Sequence, residues 1–504
     1  MTGWAALDRR TVVVAALLMA GVSISAGVPT GIGIAQATSI GTALLWLLPA
    51  AALLVAGGSA VEYVRWRRTR YRLAPGRVEL RTGVLVSRHR SLQRDRIRTV
   101  DITADPLLRA FGLVTVRIGT GEQSGAGEAS VVLRPVRAAV GESLRRELLA
   151  RADGRVAADG ALATLDPRWI RYAPVSFLAP LLGVSAFGGV LQVAKWFGLQ
   201  SEVIDRVLGL FRGVPLAVTL AVLVAVALAV GAVAALGLWV EMWWNYRLDR
   251  EPGTLRVRRG LFTTRSTSIE ESRLRGVELV EPLGARLAGA ARVDAVATGI
   301  TTGKDGDKPD HRTLLPVAPR ATARRVAAAV LGEPPFDAVP LTRHPAAARS
   351  KRLRWALGGV ATVAAVLALG GVLVAEVLLH AAWVSAVVLV PIAAALAVDA
   401  HRGLGHGLGE RYLVARRGSV RRATVALQRA GIIGWTVRQS IFQRRAGLAT
   451  LVATTAAGAG AYAVPDASCD DALALAAAAV PGLLDPFLEP PPAPVPTNGA
   501  FVAT

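Results

Sequence analysis

Six apolar runs, each about as long as a membrane-crossing helix, constrain this chain more than any other feature of its sequence. A hydrocarbon core ~30 Å thick is crossed by ~20 helical residues. The runs form three close pairs, which buried helices of a soluble protein would not explain. They span Thr11–Pro29, Thr42–Val61, Ala173–Phe197, Val214–Val240, Trp355–Ala375 and Ala381–Val398. We therefore predict six transmembrane helices in three pairs.

A signal peptide is the alternative interpretation of the first run. Ala35 and Ala37 would form its small-residue cleavage site. That site lies well past the apolar stretch, and the first pair resembles the later pairs, so we favour a transmembrane pair.

The distribution of basic residues predicts the orientation. The chain carries 58 Lys and Arg against 36 Asp and Glu, a formal net charge of +22. Basic residues precede the odd-numbered helices and follow the second, whereas residues 31–41 contain none. Because basic flanks stay on the cytoplasmic side, we expect a multi-pass protein of the bacterial inner membrane. Both termini and all three large hydrophilic segments would then be cytoplasmic.

The hydrophilic segments contain an internal repeat. In each copy a Tyr precedes an anchor glycine. Apolar residues follow the anchor at 14 and 17 positions, and a second glycine follows at 29. A proline comes later, before a helical pattern. The three sets are Tyr71, Gly83, Ile97, Val100, Gly112 and Pro135; Tyr246, Gly260, Leu274, Val277, Gly289 and Pro316; Tyr412, Gly418, Ile432, Trp435, Gly447 and Pro465.

Each copy is predicted to be antiparallel strands followed by one helix. Alternating residues flank the anchor glycine, which indicates a hairpin whose turn needs positive φ. A strand is expected to end at each proline. The predicted helices are Ala138–Arg151, Ala321–Leu331 and Ala467–Val480. The fold class is therefore an α-helical membrane protein bearing three α+β domains.

These patterns divide the chain into nine segments. They are helix pair 1 (1–65), domain 1 (66–152), a linker (153–170), helix pair 2 (171–244), domain 2 (245–333), a basic linker (334–354), helix pair 3 (355–400), a divergent domain 3 (401–481) and a Pro-rich disordered tail (482–504).

Motifs of the first copy resemble a known family. Arg96–Val100, Asp105–Leu108 and Phe111–Leu113 look like the bacterial pleckstrin-homology (bPH2) domain of YdbS/YdbT-type membrane proteins. Three helix pairs, each followed by such a domain, are similar to the larger YdbT-type member. The third copy departs most. It has Ser440–Gln443 where the first copy has an acidic residue followed by proline, Asp105 and Pro106.

The resemblance implies PH-like domains, each a strongly bent antiparallel sheet closed by its C-terminal helix. It also implies a partner, a smaller one-module bPH2 membrane protein, and a role in envelope stress or peptide resistance.

No catalytic constellation emerges from the sequence, so we expect no enzyme activity, cofactor or metal. His401 and His406 are five residues apart, which places them on different faces of a helix. Residues 403–409 alternate Gly with other residues but precede a predicted strand, so a flexible linker is favoured over a phosphate loop. The single cysteine, Cys469, excludes an intrachain disulfide.

The charge of the first domain is open to three interpretations. Thirteen Arg stand against four acidic residues between Arg65 and Arg109. They could mark topology alone, dock on anionic lipid headgroups, or bind nucleic acid, which the missing aromatic stripe disfavours. The candidate lipid-surface residues are Arg65, Arg67, Arg68, Arg70, Arg88, Arg90, Arg94 and Arg96.

The sequence thus favours an integral membrane scaffold. Its PH-like domains would dock to the bilayer, to a protein partner or to a second copy by self-association. An accessory subunit of a transport or export system is the alternative, disfavoured because no span carries a convincing mid-membrane charge. Small-residue spacings such as Gly183 with Ala179, and Gly189 with Ser185, are interpreted as helix-packing positions.

Overall fold

The computed structural model describes residues 4–484 except 75, 84–86, 95–96, 98, 120–129, 150–159, 176–177 and 300–311, and also describes residue 486. Two compact units are present. Unit 1 contains residues 1–336, 418–425 and 457–460, and unit 2 contains the rest. The candidate Arg96 and most of the predicted tail lie outside the described residues.

The first repeat consists of a helix pair followed by strands and two shorter helices. The elements are β1 (Ala5–Ala6), α1 (Arg10–Ala37), α2 (Ile40–Arg68), β2 (Arg70–Ala74), β3 (Arg77–Thr82), β4 (Arg88–Gln93), β5 (Thr99–Ala104), α3 (Pro106–Ala110), β6 (Leu113–Gly119), β7 (Ser130–Arg137) and α4 (Ala138–Leu149). Buried side chains alternate with partly buried ones in β2, whereas three successive residues of β3 are buried, and the strands form antiparallel sheets.

The second repeat has a similar order, with one additional helix between its two long apolar segments. Its elements are β8 (Gly160–Thr164), α5 (Leu178–Trp196), α6 (Gln200–Leu210), α7 (Leu216–Trp243), β9 (Arg247–Glu251), β10 (Thr254–Arg259), β11 (Thr264–Glu270), β12 (Leu274–Pro282), α8 (Leu283–Leu287), β13 (Ala290–Ala297), β14 (Thr313–Pro319) and α9 (Arg320–Leu331).

The third repeat completes the chain. Its elements are α10 (Pro335–Ala338), α11 (Ala346–Leu373), α12 (Val377–Arg402), β15 (Gly405–Leu408), β16 (Tyr412–Arg417), β17 (Arg421–Gln428), β18 (Ile432–Arg438), α13 (Ile441–Arg445), β19 (Leu448–Thr455), β20 (Ala461–Ser468) and α14 (Cys469–Ala479).

Five helices among the described residues are long and apolar enough to cross a membrane: α1, α2, α7, α11 and α12. The remaining predicted span coincides with α5, whose described apolar part is the shorter stretch Leu181–Trp196. The predicted number of six is therefore not established. The segment after α5, predicted as a loop, instead contains the helix α6, which bears the exposed side chains of Leu208 and Leu210.

Small residues let some of these helices approach closely. A Cβ atom on Gly183 in α5 would overlap the backbone carbonyl of Ala227 in α7, so this glycine is a packing contact as predicted. Gly189 differs, because no atom lies within 4 Å of its Cβ position. The packing prediction is wrong for Gly189, since that position faces open space.

The first repeat surrounds one core. Side chains of β2–β4, β5–β7 and α4 meet in a single cluster that includes Tyr71, Val100, Val116, Leu133 and Leu144, each at most 5% exposed. Its strands belong to two sheets: β1-β2-β3-β4 forms one, and β5, β6 and β7 belong to another. The antiparallel sheets agree with the predicted α+β class. The single bent sheet that the resemblance implies is not seen in repeat 1, because β5 pairs with a strand of repeat 2.

That edge of β5 pairs with the second repeat. In unit 1 a seven-stranded sheet has the order β7-β6-β5-β11-β10-β9-β8. The antiparallel ladder between β5 and β11 runs from Thr264 opposite Ala104 to Ile269 opposite Thr99. Repeats 1 and 2 are therefore joined by main-chain hydrogen bonds, which no pattern within either repeat had indicated.

The signature prolines of the repeat lie inside the last strands, not at their ends. β7, β14 and β20 continue two or three residues past Pro135, Pro316 and Pro465. The pairing register shifts at each proline, which marks a β-bulge. The prediction that strands end there is wrong, because a bulge leaves a residue outside the ladder, where proline loses no hydrogen bond.

In unit 2 the glycine-rich stretch before β16 is a strand, not the predicted flexible linker. β15 pairs with β16 from Gly405 opposite Arg416 to Leu408 opposite Leu413. A Cβ at Gly407 would overlap the carbonyl of Pro340, so glycine is required by close packing. Between the glycines, the buried His406 ring lies 3.1 Å (Nδ1 to Nε2) from the buried His344 ring.

Candidate functional site

The repeat-signature residues occupy core and turn positions. The three signature tyrosines, Tyr71, Tyr246 and Tyr412, are at most 5% exposed. The signature glycines have positive φ, from 63° to 146°, as their turns require. Side chains buried in this way stabilise the fold and offer no surface to a ligand. Trp435 is the exception among the apolar positions, because it is only half-buried.

A cavity of about 760 Å³ lies in unit 1 where the first helix pair meets the sheet shared by repeats 1 and 2. It brings together α1, the last turns of α2, three strands of repeat 1 and the start of β11. Its lining residues are Thr11, Val14, Ala15, Leu18, Met19, Glu62, Arg65, Asp101, Thr103, Asp105, Pro106, Leu107, Leu108, Thr115, Arg117, Arg134, Pro135, Thr263 and Arg265.

One wall of the cavity is apolar. Val14, Leu18 and Met19 come from the first turns of α1, the end of the helix nearest the hydrophilic segments. Leu107 and Leu108, from α3, add to this surface. The wall is thus built from a helix that is itself long and apolar enough to span a membrane.

Cationic side chains from four elements line the same cavity. Arg117 and Arg134 stand on the neighbouring strands β6 and β7, and Arg265 enters from β11. Arg65, at the end of α2, pairs with Glu62 at 3.3 Å. Guanidinium groups converging on one space suit a phosphate or carboxylate, because each presents a planar fork of N–H donors.

Hydrogen bonds hold helix ends near the cavity to neighbouring segments. The indole N–H of Trp66 in α2 donates to the carbonyl of Leu7 at 2.8 Å, and Arg10 donates to the carbonyl of Phe111 at 2.9 Å. On the repeat 2 side, the Glu241 carboxylate accepts the backbone N–H of Thr263 at 2.9 Å. These bonds tie the ends of α1, α2 and α7 to segments that flank the strands.

Asp101, on β5, is one of the residues that line the cavity. Burial raises the pKa of its carboxyl to about 7, although the nearby Arg117 and a hydrogen bond with Thr267 both favour the charged form. The carboxyl therefore changes charge near neutral pH, beside the arginines of the cavity.

The predicted lipid-surface arginines mostly lie elsewhere. Arg65 lines the cavity, whereas Arg88 and Arg90 stand on β4 and Arg70 on β2. Arg67 and Arg68 are in the last turn of α2, and Arg94 donates a hydrogen bond to the carbonyl of Glu147. These candidates do not converge on one site.

Sequence reasoning missed Arg117, Arg134 and Arg265. The first two lie on adjacent strands of one sheet, and the alternation of Leu113–Ile118 could have placed Arg117 on the face opposite the core. No local signal exists for Arg265, because it reaches the cavity only through the pairing of β11 with β5.

No group of three or more His, Cys, Asp or Glu in the described part of the chain is arranged to hold a metal ion. The cavity is lined by four arginines, by apolar side chains and by the carboxyl groups of Glu62, Asp101 and Asp105.

Comparison with known proteins identifies the family. Residues 15–152, 177–333 and 358–479 each match the family model described as "Bacterial PH domain". The chain belongs to this family. It is also 22% identical over 283 residues to the UPF0699 transmembrane protein YdbT of Bacillus subtilis (strain 168).

That alignment covers 52% of this chain and 54% of YdbT, so the chain spans about half the length of the relative it matches. No solved structure matches. The three matches coincide with the three copies of the internal repeat, and the protein is a membrane protein with repeated bacterial PH domains.

Proposed function

We propose that this bacterial PH-domain protein is an inner-membrane scaffold that binds an anionic phospholipid headgroup in the cavity of repeat 1. The observation that carries the proposal is the composition of the cavity lining, in which four arginines meet an apolar helix of transmembrane length. A lipid needs both surfaces, because its phosphate requires cations while its glycerol and acyl carbons require apolar contact.

The location of the cavity supports this ligand. Thr11 and Val14 are near the start of α1, and Glu62 and Arg65 near the end of α2, so the cavity lies at one end of the helix pair. Headgroups lie at that depth in a bilayer. The arginines that flank the helices favour a cytoplasmic position for this end, where the leaflet is anionic.

Retention of a bound lipid would orient repeats 1 and 2 on the membrane surface. Three tethered modules raise the effective concentration of their binding surfaces, so weak contacts with a protein partner can suffice. A smaller one-module membrane protein of the same family is the partner we propose for such docking.

The test compares two double variants that remove equal charge. Arg117→Gln with Arg265→Gln changes the cavity, whereas Arg88→Gln with Arg90→Gln changes β4, which contributes nothing to the cavity lining. The full-length protein is reconstituted in nanodiscs of phosphatidylcholine and phosphatidylglycerol. Retained lipid is then measured by native mass spectrometry.

We expect the cavity variant to lose at least ~10-fold in phosphatidylglycerol retention, since each charge-assisted hydrogen bond contributes about 1.5–3 kcal/mol. The β4 variant should retain the lipid as the wild type does. Equal loss in both variants would show that general surface charge, and not the cavity, attracts the lipid.

A further inference from the structure

The sheet order reveals how successive repeats join. In repeat 1 the fourth strand after the helix pair is β5, and it pairs antiparallel with β11, the third strand after the helices of repeat 2. The next junction again joins a fourth strand to a third strand. The fourth strand β12 has as its neighbour β17, whose residues 421–425 belong to unit 1, and there Glu278 lies 3.7 Å from Arg421. A fourth strand thus accepts the third strand of another PH-like module.

The fourth strand of repeat 3 has no such neighbour among the residues that the structure describes. β18 ends the three-stranded sheet β18-β19-β20 of unit 2. Its Ile433 and Val437 are 63% and 41% exposed, whereas Leu279, at the position of Val437 in repeat 2, is 3% exposed. An exposed apolar edge strand is a template for pairing with another chain.

A second copy offers one candidate strand, because β4, the third strand of repeat 1, is also a sheet edge among the described residues. The observed register argues against it. Arg265 is opposite Thr103 in the β5–β11 ladder. Counting from the anchor glycines Gly83, Gly260 and Gly418, the same position in a pairing of β18 with β4 sets Arg88 opposite Arg438. Like charges directly opposite each other destabilise a strand pair.

This repulsion has a structural consequence. Pairing of β18 with β4 between copies is heterologous, so it would build open-ended chains of the protein. Opposed arginines at the two free edges discourage that assembly, as charges on edge strands commonly do.

We propose that the β18 edge binds the third strand of a PH-like module on a different membrane protein, an inference that rests on the scaffold function proposed above but not on lipid binding in the cavity. That strand would run antiparallel to β18 and carry a neutral or acidic side chain opposite Arg438. The template for this contact is the β5–β11 ladder, in which Thr103 faces Arg265 and the strands lie in register over six residues.

Charge reversal tests the edge with the protein itself as probe. Arg438→Glu should let β18 accept β4 of another copy, because the introduced carboxylate would then face Arg88. Arg88→Glu should do the same from the other side. The double variant, with two carboxylates opposed, restores repulsion.

We expect light scattering in mild detergent to give dimers or larger species for each single variant, and monomers for the wild type and the double variant. Arg445→Glu, a substitution of the same charge at an exposed site on α13, is the matched control and should remain monomeric.

Cross-linking tests the register. By the same counting, His89 would lie opposite Val437, as Ser266 lies opposite Ile102. In a Cys469→Ser background, His89→Cys with Val437→Cys should form intermolecular disulfides only when combined with Arg438→Glu.

Two outcomes would overturn the proposal. If both single reversals remain monomeric, the β18 edge does not accept a third strand. If the wild-type charges already allow the disulfide, the occupant is a second copy and not a different protein. Because either reversal alone should cause association, a folding defect in one leaves the other as the test.

Discussion

At the scale of single residues, the carboxyl group of Asp101 affects the charge of the cavity near neutral pH, beside the other two lining carboxyls, Glu62 and Asp105. Asp101 lies on β5 among arginines, and burial raises its pKa to about 7. When charged it repels a phosphate, and when protonated it does not. An anion bound in the cavity is therefore linked to the protonation of this group.

We predict that headgroup binding strengthens as the pH falls from 8 to 6, by about 3- to 10-fold, an estimate for one charge interaction at intermediate dielectric. Asp101→Asn should abolish this dependence and bind at pH 8 as the wild type binds at pH 6. Retention of phosphatidylglycerol in nanodiscs, measured across this pH range, is the test. If Asp101→Asn keeps the wild-type pH profile, the pH dependence of headgroup binding comes from another group.

The raised pKa of Asp101 also makes the free energy of unfolding depend on pH. The pKa of this carboxyl is higher in the folded state than the unfolded value of 3.8. Its contribution to the free energy of unfolding is therefore fully present below pH 3.8 and is lost as the pH rises through about 7. Asp101→Asn should accordingly stabilise the protein at pH 8 and have little effect at pH 4, which thermal unfolding at the two pH values would show.

At the scale of elements, the helix pair α5–α7 depends on a glycine. The backbone of α7 lies where a side chain of Gly183 would be, while Gly189, on the same helix, faces open space. The two glycines of α5 thus provide a test and its control within one helix.

We predict that Gly183→Ala lowers the free energy of unfolding by about 1–3 kcal/mol, because the added methyl forces the helices apart. Gly189→Ala should be neutral or slightly stabilising, since alanine favours helix more than glycine does. Thermal unfolding in detergent micelles would measure both. Equal effects of the two substitutions would contradict close packing at Gly183.

At the scale of the whole molecule, the PH-like repeats 1 and 2 are not independent of each other. The sheet of unit 1 runs through strands of both repeats, with β5 and β11 at its junction. Loss of the third strand in repeat 2 should therefore affect repeat 1.

We predict that Ser268→Pro, in the middle of β11, increases hydrogen exchange in both neighbours, β10 and β5. Ser268 is fully buried and opposite Val100, and proline cannot donate to the ladder. Ser91→Pro, at the equivalent position of β4, should leave β5 and all strands of repeat 2 protected. Exchange mass spectrometry of the full-length protein tests this. Unchanged exchange in β5 would show that the repeats open separately.

The amino-acid sequence by itself determined the elements. Apolar runs of bilayer length indicated the membrane helices, and two-residue alternation and glycine spacing indicated three copies of a strand-rich module, as the three family matches confirm. These features are local: each depends on residues close together in the chain, so periodicity and spacing record them.

Tertiary structure alone decided how the elements combine. Pairing of β5 with β11 joins strands of two different repeats. The sequence pattern of neither strand predicts this pairing, because any exposed strand edge offers the same backbone N–H and C=O groups. Arg265 joins Arg117 and Arg134 only through that junction. The signature prolines lie in β-bulges because each last strand pairs with its neighbour on both sides of the proline. The glycine-rich run forms the strand β15 because it pairs with β16.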